Sequence, residues 1–290
     1  MTAFSAIIAV LGHHWATNPR TARWLLFAIL PSAVLFDRLL AHRLFWTQWL
    51  PESSAIIVWA NATPLFLAAA YGISFRLNQP SQTRQRVFAA CVGMMAVAAT
   101  IAPIVRPYTR PIADMEETPN WVDGVCLQTH ESTCGPAAAA TLLRCYQFFT
   151  TEASMNAVCL TGADGTSSLG IYRGLYNVGD PRGYQPRVVC GSFDHFVQYG
   201  QFPSIVMVRF SEPPRDWRQS LITRVSRRGG QGHAIVVFGV NENGTLDVGD
   251  PATGRCQWNV ERLRQSWDGE AIYLHGAPGL ASNLIDKSTT

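Results

Sequence analysis

The sequence predicts an α+β soluble domain preceded by an α-helical membrane region. Three observations carry that expectation. The first third contains long apolar runs without charge, a proline-bearing segment follows them, and the remainder reads as helices first and strands later. A chain of 290 residues has room for two such units. Its charged fraction is 15% against 48% hydrophobic, which is low in charge for a wholly soluble enzyme. The net charge is only +3, and no basic stripe with interleaved aromatics occurs, so nucleic acid is not an expected partner. The cationic residues are almost all arginine, Lys287 being the single lysine, a bias better explained by genomic base composition than by phosphate binding.

The membrane region is expected over 1–105, with about three transmembrane helices at 24–40, 55–75 and 87–105 and the lipid bilayer as a partner. About 20 apolar residues cross a bilayer core. The second and third runs carry no charged residue, while the first contains Pro31 and ends at Asp37-Arg38. Residues 1–12 are apolar but short, and without a basic start or a clear small-residue cleavage site they do not read as a cleaved signal peptide. Arg20 and Arg23 precede the first span, and Arg76, Arg84 and Arg86 lie between the second and third. The positive-inside rule therefore assigns both segments to the cytoplasm of a bacterial inner-membrane protein. Three crossings then leave the chain after Val105 on the extracytoplasmic side. Residues 106–120 have the prolines and mixed charge of a linker, 121–275 form the soluble domain and 276–290 a C-terminal tail.

The soluble domain opens on the stretch from Cys126 to Tyr146, a loop that runs into a helix. Ser132 and Thr133 are residues of the capping type, Pro136 suits a first helical turn, and residues 137–146 have helix-forming composition. Cys134 thus sits at the mouth of a helix, where unpaired N–H groups and the positive dipole end stabilise a thiolate. Gly135 has no side chain to cover the sulfur. Gln128, upstream on the same approach, carries an amide that can donate to negative charge developing near the sulfur. An ordinary core cysteine is the competing reading, and a base with an orienting partner would decide between the two.

Farther along, a polar glycine-bearing region at 160–168 leads to helical spacing over 169–178. Residues 185–190 read as a strand, 193–199 as a short helix, 204–210 as a buried strand and 213–232 as a long polar loop. Residues 232–240 form a strand opening with Gly232-His233, Asn241 to Gly244 signals a turn, and 245–254 is a second strand ending in Asp250-Pro251. Pairing Val240 with Thr245 sets Asp250 opposite Ile235, two residues from His233 on the same face. Diagonal neighbours across such a pair lie about 7–8 Å apart, near enough for a carboxylate to hold an imidazole. His130 and His195 are rival bases that lack a matched carboxylate hairpin, and His130 reads instead as shaping the loop near Gln128.

In order, Gln128, Cys134-Gly135-Pro136-Ala137, His233 opening a strand, and Asp250-Pro251 resemble the double-glycine leader (bacteriocin-processing) cysteine peptidases, which are papain-like. The resemblance spans roughly 125–274 and includes Gly165-Thr-Ser-Ser-Leu-Gly170, similar to that family's helix-start motif, and 267–274, similar to its last strand. It implies N-terminal helices packed on an antiparallel sheet. By the same resemblance Cys134 is the nucleophile, His233 the base and acid, Asp250 the orienter of His233 and Gln128 the oxyanion donor. The implied reaction is thiolate attack on a peptide carbonyl, proton delivery by His233 to the leaving amine, and hydrolysis of the thioester. The expected function is a membrane-anchored cysteine peptidase acting on leader peptides or other peptide or protein substrates. The same triad could transfer an acyl group to an amine, and a non-catalytic peptide-binding membrane protein is a third reading.

Members of that family are commonly N-terminal domains of exporters, with spans and an ATPase after the peptidase. Here the spans come first and no G-x-x-x-x-G-K-[ST] loop occurs, so ATP-driven export is not expected of this chain, and a separate exporter or secretion component is an expected partner. No cofactor or metal is expected, because the cysteine spacing is not that of a zinc site. On the extracytoplasmic side one or two disulfides are open to the non-catalytic cysteines, Cys145 with Cys159 being the natural local pair, and burial as small apolar residues is the equal alternative.

Overall fold

The computed structural model describes residues 2–77, 82–112, 120–210 and 231–276. The expected loop at 213–232 and the tail at 276–290 fall almost wholly outside the described residues, as do residues 113–119 of the expected linker. The chain divides into two compact units. Among the described residues, one takes in 2–43 and 57–105; the other takes in 44–56 and the residues from 106 on.

The first unit is helical. It contains α1 (Thr2–Trp15), α2 (Pro19–Leu39), α3 (Ile56–Trp59), α4 (Thr63–Ser74) and α5 (Gln82–Thr109). The short apolar N-terminal segment is a helix packed on α4. Glycines permit that approach: a Cβ on Gly12 would lie 2.6 Å from the Ala69 carbonyl oxygen, and one on Gly72 would strike the Ala9 carbonyl. The run expected as one helix at 55–75 breaks at Asn61-Ala62, because the Asn61 side chain accepts from the Thr63 N–H at 3.2 Å and Pro64 starts the next helix. The last helix continues through Pro107 to Thr109, into the segment expected to be linker. Among the described residues two stretches are long and apolar enough to cross a membrane, Ile56–Ser74 and Gln82–Val105. Helix α2 is long enough, yet Arg20, Arg23, Asp37 and Arg38 keep it outside that pair.

The second unit is α+β. It holds β1 (Trp121–Val122), β2 (Val125–Cys126), α6 (Cys134–Cys145), α7 (Glu152–Val158), α8 (Ser168–Gly179), β3 (Tyr184–Cys190), α9 (Phe193–Tyr199), β4 (Ser204–Phe210), β5 (Gln231–Val240), β6 (Leu246–Asp250), β7 (Gly254–Trp258), α10 (Val260–Ser266) and β8 (Trp267–Gly276). Strands β3 to β8 form one antiparallel sheet in the order β3-β8-β4-β5-β6-β7. Val189, Val206, Val208, Ile235, Val237 and Val248 of the sheet pack with Phe193, Phe196 and Leu263 from α9 and α10. Helix α6 lies on the sheet through β4 and β5, with α7 and α8 beside it. Residues 44–56 belong to this unit too. The buried Leu44 donates its N–H to the buried Glu270 of β8 at 2.7 Å, and Glu52 pairs with Arg187 of β3.

Helix α7, strand β7 and helix α10 were not expected from the sequence; the first and last are short and begin at the caps Thr151 and Asn259. Among the described residues, which include every cysteine, no disulfide forms. Cys145 lies exposed at the end of α6 while Cys159 is buried, so that expected pair is corrected in favour of burial for Cys159. Burial pushes the Cys159 thiol up to about 12, the state of an inert core sulfur.

Candidate active site

The nucleophile region is built from one continuous stretch and its anchors. Strands β1 and β2 pair through a tight turn with Asp123 and Gly124 at positive φ. The chain then passes through Gln128 and His130 to α6, whose first residue is Cys134 itself. Thr133 occupies the cap position but its side chain does not cap the helix. Its hydroxyl donates to the His130 carbonyl at 2.7 Å and accepts from the His130 N–H at 3.2 Å. Ser132 likewise turns away and donates to the Ala163 carbonyl at 2.6 Å. Both residues shape the loop, which leaves the N–H groups of the first turn of α6 unclaimed by a capping side chain. Gly135 also serves a different end from the one expected. A Cβ there would stand 2.9 Å from Thr166 Cβ and 3.0 Å from Ile171 Cδ1, so glycine is what lets α6 close on the start of α8.

Gln128 is held at three points. Its N–H donates to the Pro251 carbonyl at 2.8 Å, its side-chain Nε2 donates to the His130 carbonyl at 3.1 Å, and the next N–H, that of Thr129, is bound by Glu152. A carbonyl can only accept, so the bond to His130 fixes which end of the Gln128 amide is nitrogen. That nitrogen has a second hydrogen to offer. The same His130 carbonyl receives the Thr133 N–H at 3.1 Å, one residue before Cys134. His130 is therefore committed to the loop, and its Nδ1 also accepts from the Ser132 N–H at 3.1 Å. His195, the other rival base, lies on α9 with its ring against Tyr199.

The base comes from the sheet. His233 stands on β5, paired with Val208 of β4, and its Nε2 lies 2.7 Å from Asp250 Oδ1 at the end of β6. The two side chains are 13% and 10% exposed. The pairing of β5 with β6 sets Val236 against Gly249, and continuing that register puts Ile235 against Asp250, as the hairpin reading expects. At the turn the register differs by one: Val240 faces Leu246, because a bulge at Phe238 absorbs an extra residue. Asp250 is held by its own turn, accepting the Ala252 N–H at 2.9 Å through the same Oδ1. Phe210 lies 6.1 Å from the His233 ring, centroid to centroid.

Burial works against a charged His233, yet the hydrogen bonds and charges of Asp250 and Cys134 outweigh it and raise the imidazole to about 9. Burial likewise works against an ionised Asp250, but His233 and the Ala252 N–H hold its carboxyl below the ordinary value. With Nε2 occupied by Asp250, Nδ1 is the ring nitrogen left for Cys134. Of the four expected residues, His233 and Asp250 meet directly, and the Cys134 thiol is close enough to the His233 imidazole to help raise it. Gln128 is joined to the group through the Pro251 and His130 carbonyls. The sequence reading missed Glu152, a buried carboxylate behind Gln128; its only sequence signal is Thr151 as the cap of a short helix.

An α+β domain that sets a thiol on a helix start beside a carboxylate-held imidazole has the composition of a papain-like cysteine peptidase. The Peptidase C39 family model matches residues 124–278, more than half of the chain, and the chain belongs to that family of cysteine peptidases. Among solved structures it is similar to the peptidase domain of Streptococcus ComA, a bifunctional ABC transporter involved in quorum sensing. That match has 25% identity and a TM-score of 0.40 and covers 52% of this chain and 96% of that one. It is also similar to a double glycine motif protease from an AMS/PCAT transporter in complex with its leader peptide. There the identity is 17% and the TM-score 0.42, covering 58% of this chain and 99% of that one. No curated protein matches the chain.

Proposed function

We propose that this chain is a membrane-anchored peptidase that cleaves a peptide bond with Cys134 as nucleophile, His233 as base and acid, Asp250 as orienter and Gln128 as oxyanion donor. The observation that carries the reading is the 2.7 Å contact of His233 Nε2 with Asp250, which leaves Nδ1 to the Cys134 thiol. His233 takes the Cys134 proton and the thiolate attacks the carbonyl carbon. The oxyanion is met by the second hydrogen of the Gln128 amide and by the uncapped N–H groups at the start of α6. Protonated His233 then delivers its proton to the leaving amine, and water, deprotonated by the same ring, hydrolyses the thioester. Asp250 keeps the ring in place and its charge favours imidazolium at each stage.

The substrate class is a peptide or protein with a leader ending in small residues, as the double glycine motif protease similar to this chain suggests. The anchor is read as three crossings by α2, by 56–74 and by 82–105, with the peptidase on the extracytoplasmic side. The apolar stretches at Ile56–Ser74 and Gln82–Val105 support it. So does the packing of 44–56 within the peptidase unit, since a chain that crosses three times leaves its first loop and its C-terminal domain on one side. A separate exporter or secretion component would supply the substrate.

The test is cleavage of synthetic peptides carrying a Gly-Gly leader by the purified full chain, followed by mass spectrometry with and without hydroxylamine or glycine amide. Hydrolysis that disappears in Cys134→Ala and yields no amine adduct supports a peptidase. Adducts formed in preference to acid would assign it instead as a transferase, and binding without cleavage would leave only a peptide-binding role.

A further inference from the structure

Glu152 is 2% exposed, at the first turn of α7. Both of its carboxylate oxygens face one donor, the Thr129 N–H, at 3.0 and 3.2 Å. A buried carboxylate is costly unless it is well bonded, and holding a loop does not by itself require a charge. What distinguishes this one is which peptide it grips. The Thr129 N–H belongs to the peptide unit that follows the Gln128 Cα. The unit that precedes it is tied by the Gln128 N–H to the Pro251 carbonyl at 2.8 Å. The two peptide planes that define the backbone angles of Gln128 are therefore fixed from opposite sides, one by the Asp250-Pro251 turn and the other by Glu152. The Gln128 side chain is fixed in turn by the His130 carbonyl.

We propose that Glu152 is a positioning residue for the reaction, holding the Gln128 amide where the oxyanion forms by clamping the Thr129 N–H. This rests on the reading of Gln128 as oxyanion donor. A donor for a transient charge contributes only if its direction is set beforehand, and a loop residue with one free flanking peptide would spend much of its time misdirected. The charge strengthens the clamp, since a hydrogen bond to an ionised acceptor is roughly twice as strong as a neutral one.

The experiment uses the full chain and an aminomethylcoumarin peptide ending in Gly-Gly. Steady-state kinetics are measured alongside the rate of Cys134 alkylation by iodoacetamide, a reaction that forms no oxyanion. Glu152→Ala is expected to lower kcat about tenfold or more, with KM and the alkylation rate near those of the parent, while Gln128→Ala lowers kcat about 10²-fold. Glu152→Gln, which keeps an acceptor, is expected to recover most of the loss. The double variant is expected to be no slower than Gln128→Ala alone, because Glu152 acts through that side chain. Parent kcat in Glu152→Ala, with Gln128→Ala impaired, would overturn the positioning role while leaving the oxyanion donor standing. Loss of alkylation together with turnover in Glu152→Ala would reduce Glu152 to a folding role. Parent kcat in Gln128→Ala, or no turnover by the parent, would remove the reading beneath the proposal and the proposal with it.

Discussion

The two halves of the site are assembled in opposite ways. Gln128 and Cys134 come from one short run of chain, but that run has little structure of its own. It is held by Pro251, Ala163 and Glu152, all distant in sequence. His233 and Asp250 are separated by a whole hairpin, yet the hairpin's register brings them together, supported by the turn at Asp250 and by the neighbouring strands β4 and β7. Closeness in sequence therefore does not mean self-sufficiency. The loop half depends on scattered side-chain and carbonyl anchors for direction, whereas the hairpin half takes its geometry from the regular ladders of the sheet.

Substitutions can sharpen or break that contrast. Removing a reacting group should cost most: Cys134→Ala and His233→Ala are each expected to lower kcat by about 10⁴-fold or more, and combining them should cost little beyond either alone. Equal, multiplying losses would mean that the two do not act as a unit. Gln128→Ala should follow, with kcat down about 10²-fold and KM little changed, measured on the same Gly-Gly peptide.

Asp250→Asn sharpens the comparison through pH. In the parent, His233 titrates near 9, so activity that needs a protonated imidazole should fall as pH rises through that value. In the variant that alkaline limb should move to lower pH, because the charge and hydrogen bond that raise the imidazole are gone. Stability changes with the same sign. The raised His233 value means the pair contributes fully below about 6.5 and loses that contribution as pH rises through about 9. The lowered Asp250 value means its contribution is present above 3.8 and is lost as pH falls through its value in the folded chain. The difference in denaturation midpoint between parent and Asp250→Asn should therefore narrow above pH 9, and a difference independent of pH would contradict the pairing. The smallest effect is structural: Gly135→Ala should destabilise the domain by about 1–3 kcal/mol in chemical denaturation, since its Cβ meets Thr166 and Ile171.

Much of the site was legible in the sequence because its signals are local or periodic. The helix start at Cys134, the strand opening at His233 and the Asp250-Pro251 turn each follow from residue chemistry over a few positions. Counting pairs back from the turn placed Asp250 opposite Ile235, although a bulge at Phe238 shifts the pairing nearest the turn. What was illegible depends on tertiary packing. Ser132 and Thr133 have the chemistry of caps, but the Ala163 and His130 carbonyls compete for their hydroxyls. Glu152 looks like a surface residue at a helix start, and nothing nearby in sequence announces that its carboxylate is buried against Thr129. The inclusion of 44–56 in the peptidase unit was hidden for the same reason, since Glu270, which receives the Leu44 N–H, lies near the far end of the chain.

The central claim is that Cys134 is an activated thiol made so by His233. The most direct measurement is the rate of iodoacetamide labelling of the full chain from pH 5 to 9, with Cys134→Ala and His233→Ala run alongside. The account predicts one thiol that reacts fast even at low pH, absent from Cys134→Ala and slowed in His233→Ala. Uniformly slow labelling of all cysteines, unaffected by either substitution, would contradict it.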